Sequence, residues 1–313
     1  MKLKFITFSI LVAIAVISCT KNEMTSPKEA EIIVQAGVVQ TRAGYEGTSV
    51  LPQNFVMNVT QGAGSKYDYS YVKMVKDQET NVYSPESSSV KLLWAGTNYS
   101  SVDVKAMTIP YGMETVSSQM VVNVSSDQTD PEELLASDLL AAQTSEGSVT
   151  VREGKVHINF RHIMSKLEIK CILGNGLTSE DVEIKSATLD NICVSGKYSY
   201  LDMAFPESQE KSFGRVAMCK GESESVFEAV FFPYVPTKNP KLLVDAVISG
   251  KECLMSCPIS PKNNDGFVSG NKYTMKVTVN DNSISVGDIS IDTDWKIDVD
   301  VDMELNDNIF ETE

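Results

Sequence analysis

Ser165-Lys-Leu-Glu-Ile-Lys-Cys-Ile172 sets Leu167, Ile169 and Cys171 on one face of an extended chain and Lys166, Glu168 and Lys170 on the other. Successive side chains leave a strand on opposite sides, so this period of two predicts a strand with one buried face. Working outward, the same pattern recurs before it at Phe55–Val59, Tyr69–Val75, Val90–Trp94, Val102–Ile109, Gln119–Val124, Val149–Val151 and Lys155–Phe160. After it come Val182–Leu189, Val226–Phe232, Lys241–Ile248, Tyr273–Val279 and Ser283–Ile291, with turn residues between the runs. Short strands at such spacing predict an all-β sandwich or barrel. A single stretch, Pro131–Ala142, reads as helix: Asp130 is placed to cap it, Pro131 suits the first turn, and Glu132 and Glu133 favour the N-terminal dipole. The expected layout is an N-terminal β-sandwich domain over 31–154, a C-terminal one over 155–294, and an acidic strand-like tail over 295–313.

The N-terminus reads differently. Lys2 and Lys4 precede an apolar run from Phe5 to Ile17, and Ser18 stands directly before Cys19. That run is short of the roughly 20 residues a bilayer span requires, and the polar Thr20-Lys21-Asn22 follows at once. Residues 1–19 are therefore a signal peptide and lie outside the fold. Cys19 at the cleavage point has the form of a bacterial lipobox, in which the cysteine is lipidated; a plain secretory signal ending in a chance cysteine is the alternative. Residues 20–30 form a polar tether.

Removal of the signal leaves 294 of the 313 residues, and the loss of Lys2 and Lys4 takes the net charge from −15 to −17. So acidic a chain is repelled by nucleic acid, which is excluded as a partner. Besides Cys19 there are Cys171, Cys193, Cys219, Cys253 and Cys257, an odd set without a familiar disulfide spacing. They read as buried small hydrophobes, with a single bridge left open. Cys253 and Cys257 are spaced C-x3-C, but the only histidines, His157 and His162, are remote in sequence, so no zinc site is expected. No catalytic motif or phosphate-binding glycine loop occurs, each histidine reads as packed rather than catalytic, and neither enzymatic activity nor a cofactor is expected.

Two further stretches bear on assembly. Ile32, Val34, Ala36 and Val38 alternate in an early strand that ends near Thr41-Arg42. The following Arg42-Ala-Gly-Tyr-Glu-Gly-Thr48 has two glycines and no bulky aliphatic residue, a composition open to proteolysis. In the tail, Ile297, Val299, Val301, Met303 and Leu305 alternate strictly with Asp298, Asp300, Asp302 and Glu304. A D-x-D-x-D match lacks the glycine turn and later bidentate Glu of a calcium loop, which leaves a strand with one apolar and one solvated acidic face.

The lipobox at Cys19, the early strand ending in Thr41-Arg42-Ala43, Ser137-Asp-Leu-Leu-Ala-Ala142 and Phe160-Arg-His-Ile-Met-Ser-Lys-Leu-Glu-Ile169 together resemble the Bacteroidales fimbrillins. Phe232-Pro-Tyr-Val-Pro236 and Gly270-Asn-Lys-Tyr-Thr-Met-Lys-Val277 extend the resemblance over nearly the whole mature chain. It implies two tandem transthyretin-like β-sandwich domains and a subunit of a type V pilus, exported as an outer-membrane lipoprotein and destined for a surface fimbria. It also implies cleavage between Arg42 and Ala43 by an arginine-specific protease. The strand Ile32–Gln40 is then lost, and a strand from another subunit, self or a minor or tip subunit, takes its place. The candidate donor residues here are Ile297, Val299, Val301, Met303 and Leu305. The rival expectation is a monomeric surface lipoprotein that binds a host glycan or protein, for which Tyr67-Asp-Tyr-Ser-Tyr71 supplies candidate stacking residues, unless those tyrosines pack together in the core.

Overall fold

The computed structural model describes residues 30–38 and 51–292, apart from 63–65, 81, 97–98, 100, 175, 207–209, 222, 224, 238, 260, 262–265 and 282. The chain is all-β with one short α-helix among the described residues. In chain order the first half holds β1 (Ile33–Val38), β2 (Asn54–Thr60), β3 (Tyr69–Lys76), β4 (Val82–Pro85), β5 (Asp103–Met107) and β6 (Gln119–Asn123). It continues through α1 (Pro131–Ser137), β7 (Leu140–Gln143), β8 (Val149–Arg152) and β9 (Lys155–His162). The second half holds β10 (Ser165–Leu173), β11 (Val182–Ser199), β12 (Ser212–Ala217), β13 (Cys219–Lys220) and β14 (Val226–Phe231). After these come β15 (Lys241–Ile248), β16 (Lys251–Pro258), β17 (Lys272–Asn280) and β18 (Ser283–Asp292).

The first sheet runs β1-β4-β3-β2-β5-β7-β9-β8, and β1 pairs β9 as well, so seven of its strands close into a circuit. Alternate residues point inward and make one core: Val34 and Ala36 of β1, Phe55 and Met57 of β2, Val104 and Ala106 of β5, Val156, Ile158 and Phe160 of β9. The second half folds as two five-stranded sheets around a second core. One runs β13-β14-β10-β17-β18; the other contains β12-β11-β15-β16 with β6 added against β11. Leu167 and Ile169 from the first of these and Leu189 and Val244 from the other share that core. The outward residues Val56, Met107 and Ala141 of the first sheet also belong to the second core. Tyr200, wholly buried beyond the end of β11, donates its hydroxyl to Lys105 O at 3.0 Å and so pins the two cores together.

Local chemistry explains several elements and corrects others. Asp130 accepts from Glu132 N at 2.9 Å and caps α1 behind Pro131. The helix stops at Ser137 rather than continuing to Ala142, because Ala141 and Ala142 are drawn into ladders with β5 and β9; tertiary pairing overrides the helix propensity of Leu and Ala. Val90–Trp94 is not a strand: only Leu93 makes a bridge, to Glu31, although Leu92 and Trp94 are buried as their alternation implies. β11 is far longer than its apolar run, since it carries β12, β15 and β6 in turn.

The face of β10 expected in solvent is partly buried. Glu168 stands directly opposite Glu228 in register, an arrangement that repels unless neutralised. Lys272 Nζ lies 2.6 Å and Lys170 Nζ 3.0 Å from Glu168, and Lys166 Nζ lies 3.0 Å from Glu228. Burial by itself would raise the Glu168 carboxyl, but hydrogen bonds from Lys272 and Lys170 outweigh it and hold the group below its ordinary value.

At the outer edge of β14, beyond the two residues paired by β13, a side chain takes over the strand's role at Val230. Gln128 is fully buried; its Nε2 donates to Val230 O (2.7 Å) and Ser125 O (3.1 Å), and its Oε1 accepts from Val230 N (2.8 Å). Gln128→Ala strands these backbone groups and is expected to destabilise the protein by about 3 kcal/mol or more. Urea unfolding checks this as a lower midpoint at unchanged slope.

Candidate functional site

The candidate site is the seat of β1. On one side β1 runs antiparallel to β4, with Val34 opposite Tyr83 and Gln35 opposite Val82. On the other it runs parallel to β9 over six residue pairs, from Ile33 opposite Lys155 to Val38 opposite Phe160. The ladder is prolonged at its start, where Ile32 N donates to Leu92 O (2.8 Å) and Trp94 N donates to Ala30 O (2.9 Å). Ile32, Val34 and Ala36 are buried whereas Ile33 is 42% exposed, which is the period-two expectation for this strand.

The floor under these side chains is aromatic and aliphatic. Val156 and Ile158 face Val34 and Ala36 in register. Phe55 packs on Tyr83 at 4.8 Å and on Phe160 at 5.1 Å between ring centroids. The Tyr83 hydroxyl donates to Pro52 O at 2.8 Å, and burial pushes it up to about 12. Each fully buried aliphatic side chain here contributes roughly 1.5–3 kcal/mol relative to exposure. An empty seat would expose that apolar floor and two unpaired strand edges at once, and such an edge is a template for another chain.

The outer face of the seat is polar. His157 on β9 stands beside Gln35 of β1 and Thr150 of β8. Partial burial, then the positive charges of Lys155 and Arg152, hold its imidazole below the ordinary value of 6.5, with Glu153 opposing weakly. His162 is engaged elsewhere: its Nδ1 lies 2.5 Å from Asp138 Oδ2, joining the end of β9 to the residue that follows α1.

The other candidates raised by the sequence separate clearly from this site. Tyr69 packs against the first core and accepts a hydrogen bond from Leu93 N (2.9 Å), but Tyr71 is half-exposed at a positive φ of 54° and rests on Tyr200 at 5.5 Å. The tyrosines are therefore not packed together in one core face. Cys171, Cys193, Cys219 and Cys257 are buried and Cys253 half-buried, all five as free thiols. Burial pushes Cys171, Cys193 and Cys257 up to about 11. No group of three or more His, Cys, Asp or Glu placed to hold a metal occurs among the described residues. Cys19, Arg42, Ala43 and the donor set Ile297, Val299, Val301, Met303 and Leu305 lie outside the described residues. The strand β4 and the parallel pairing to β9, which make the seat, have no local signal in the sequence.

Fold and seat together define an all-β protein with two packed cores, the first completed by the chain's own leading strand. The chain belongs to the fimbrillin-like family, whose model matches residues 20–295. A candidate cell adhesion protein from Bacteroides uniformis shares the fold at a TM-score of 0.61 and 17% identity, over 85% of this chain and 98% of that one. A second, from Bacteroides ovatus, matches at 0.59 and 17% identity over 87% and 99%. The tip fimbrial protein Mfa3 of Porphyromonas gingivalis, with a C-terminal truncation, matches at 0.50 and 11% identity over 86% and 100%. No curated protein sequence matches the chain.

Because the folded imidazole of His157 resists protonation, the folded state gains fewer protons than the unfolded one as pH falls through 6.5. Its share of stability is present above that value and is lost as pH drops toward the depressed folded one. The expected outcome is a fall in urea midpoint between about pH 7 and pH 5 that is flattened in His157→Gln.

Proposed function

We propose that this protein is a subunit precursor of a surface fimbria with a non-enzymatic structural or adhesive role. It is exported as a lipoprotein through Cys19 to the outer membrane, with residues 20–30 as tether and tandem transthyretin-like domains over 31–154 and 155–294. Cleavage between Arg42 and Ala43 frees β1, and an alternating strand of another subunit takes its seat. The observation that carries this reading is that β1 is held by two strand edges and closes the first sheet. Main-chain pairing supplies affinity for any incoming strand, while inward pockets at alternate positions supply selectivity. Donation from head to tail does not close on itself and so generates a fibre.

The arginines support the choice of cleavage point. Of the four in the sequence, Arg152, Arg161 and Arg215 lie within β8, β9 and β12. A protease requires an unpaired extended segment, which a ladder withholds. The second reading, a monomeric surface lipoprotein that binds a glycan or host protein, is favoured only by the half-exposed Tyr71.

Treatment of the precursor with a limiting amount of arginine-specific protease is expected to yield a new N-terminus at Ala43 and an SDS-resistant ladder on a non-boiled gel. Arg42→Ala is expected to remain full-length and monomeric. A ladder from the variant, or cut wild-type chain that stays monomeric, would overturn strand exchange.

A further inference from the structure

We propose that the outer face of β2, β3 and β5, where it meets the turn at residues 200–203, is a binding site for a neutral glycan, with Tyr71 as the ring on which one sugar stacks. The site gives the adhesive role proposed above a ligand class. It involves neither β1 nor its seat, so it does not depend on strand exchange.

The register assembles the site. The β2–β3 ladder slips between Met57 and Val59, so that Ser70 and Tyr71 together stand against the single residue Asn58. An extra residue of this kind is a β-bulge, and bulges re-aim side chains. Tyr71 takes a φ of 54° there, and its N donates to Asn58 Oδ1 at 2.6 Å. A left-handed backbone is a genuine outlier for a bulky aromatic residue, and such strain clusters at active sites and ligand clamps. The ring is 39% exposed and rests on Tyr200 at 5.5 Å. Beside it, Asn58 stands opposite Lys105 and Thr60 opposite Asp103, all four on the outward side of β2 and β5. Leu201, next to Tyr200, is 50% exposed, and Lys105 Nζ donates to Leu201 O, which holds the turn over the sheet. Met203 in the same turn has a φ of 52°, a second strained backbone close to Tyr71.

The side chains suit a sugar. A pyranose presents an apolar face of C–H groups and a rim of hydroxyls; the exposed ring meets the face, and the row beside it meets the rim. An ionised Asp103 accepts, Thr60 donates and accepts, Asn58 keeps its Nδ2 as a donor once Oδ1 is taken, and Lys105 has donors beyond the one used on Leu201 O. Neighbouring strands lie about 4.8 Å apart, so the row from Tyr71 across β2 to Asp103 spans roughly 10 Å, room for a disaccharide. A protein partner would need a contact of about 800 Å² on each side. The row offers two exposed apolar side chains, Tyr71 and Leu201, among polar ones, which fits the smaller ligand. Net charge selects among glycans: at −15 for the whole sequence, the chain repels a sialylated or sulfated glycan and leaves a neutral one unopposed.

The test uses the full-length, uncut chain on an immobilised panel of neutral oligosaccharides, each beside its sialylated form. At least one neutral glycan is expected to be retained. Its affinity is expected to fall about tenfold or more in Tyr71→Gly and in Asp103→Ala, and to be kept in Tyr71→Phe. Glycine adopts a positive φ freely, so the urea midpoint of Tyr71→Gly is expected to stay at or above that of the wild type, which separates loss of the ring from loss of the fold. Sialylated forms are expected to bind more weakly, and the gap to narrow between about 0.1 M and 1 M salt, as the screening length falls from ~10 Å to ~3 Å. Retention of no glycan, or affinities that Tyr71→Gly and Asp103→Ala leave unchanged, would overturn the site. Tighter binding of the sialylated forms would overturn the neutral class. Because the chain is uncut, these results stand apart from strand exchange, which fails or holds on its own ladder assay.

Discussion

A sheet can close only if both edges of the last strand find partners, and β1 is the strand that meets this condition in the first half of the protein. Its backbone is shared between β4 and β9, and its alternate side chains lie on the floor built by Phe55, Tyr83 and Phe160. Those two contributions cannot be separated, because the same period of two that pairs the backbone also directs Ile32, Val34 and Ala36 inward. The result is a core that is complete with β1 and open without it. Yet β1 is joined to β2 only through residues 39–53, so a single cut in that connection would leave it held by noncovalent contacts alone.

The second half provides the fixed body against which such an exchange can occur. Its two sheets enclose a separate core, and the outward residues of β2, β5 and β7 pack on it rather than on β1. The Tyr200 bond to Lys105 O and the pairing of β6 with β11 tie the halves together by contacts in which β1 takes no part. Two buried polar arrangements brace that body: Gln128 serves the edge of β14, and Lys166, Lys170 and Lys272 offset the charges of the facing carboxylates Glu168 and Glu228.

Whether an element is legible in the sequence depends on whether the deciding contact is local. The alternation of Leu167, Ile169 and Cys171 predicts β10 and its buried face, and Asp130-Pro131 predicts where α1 begins. Where α1 ends is hidden, because Leu140–Ala142 are good helix formers and only the ladders to β5 and β9 make them strand. The alternation of Val90–Trp94 predicts burial of Leu92 and Trp94 but not the lack of a ladder. Glu168 reads as solvated because the lysine that buries with it, Lys272, lies far along the chain. The leading strand is legible as a strand; its seat is not, since parallel pairing with β9 joins residues remote in sequence and leaves no local pattern.

The most direct measurement is amide hydrogen exchange on the chain before and after cleavage and removal of residues 30–42. Protection is expected to fall on residues 82–83 of β4 and 155–160 of β9, to stay unchanged on β14, β15 and β17, and to return when a competent strand is added. Protection of β4 and β9 that survives loss of the leading strand would contradict this picture, because the first sheet would then be complete without β1.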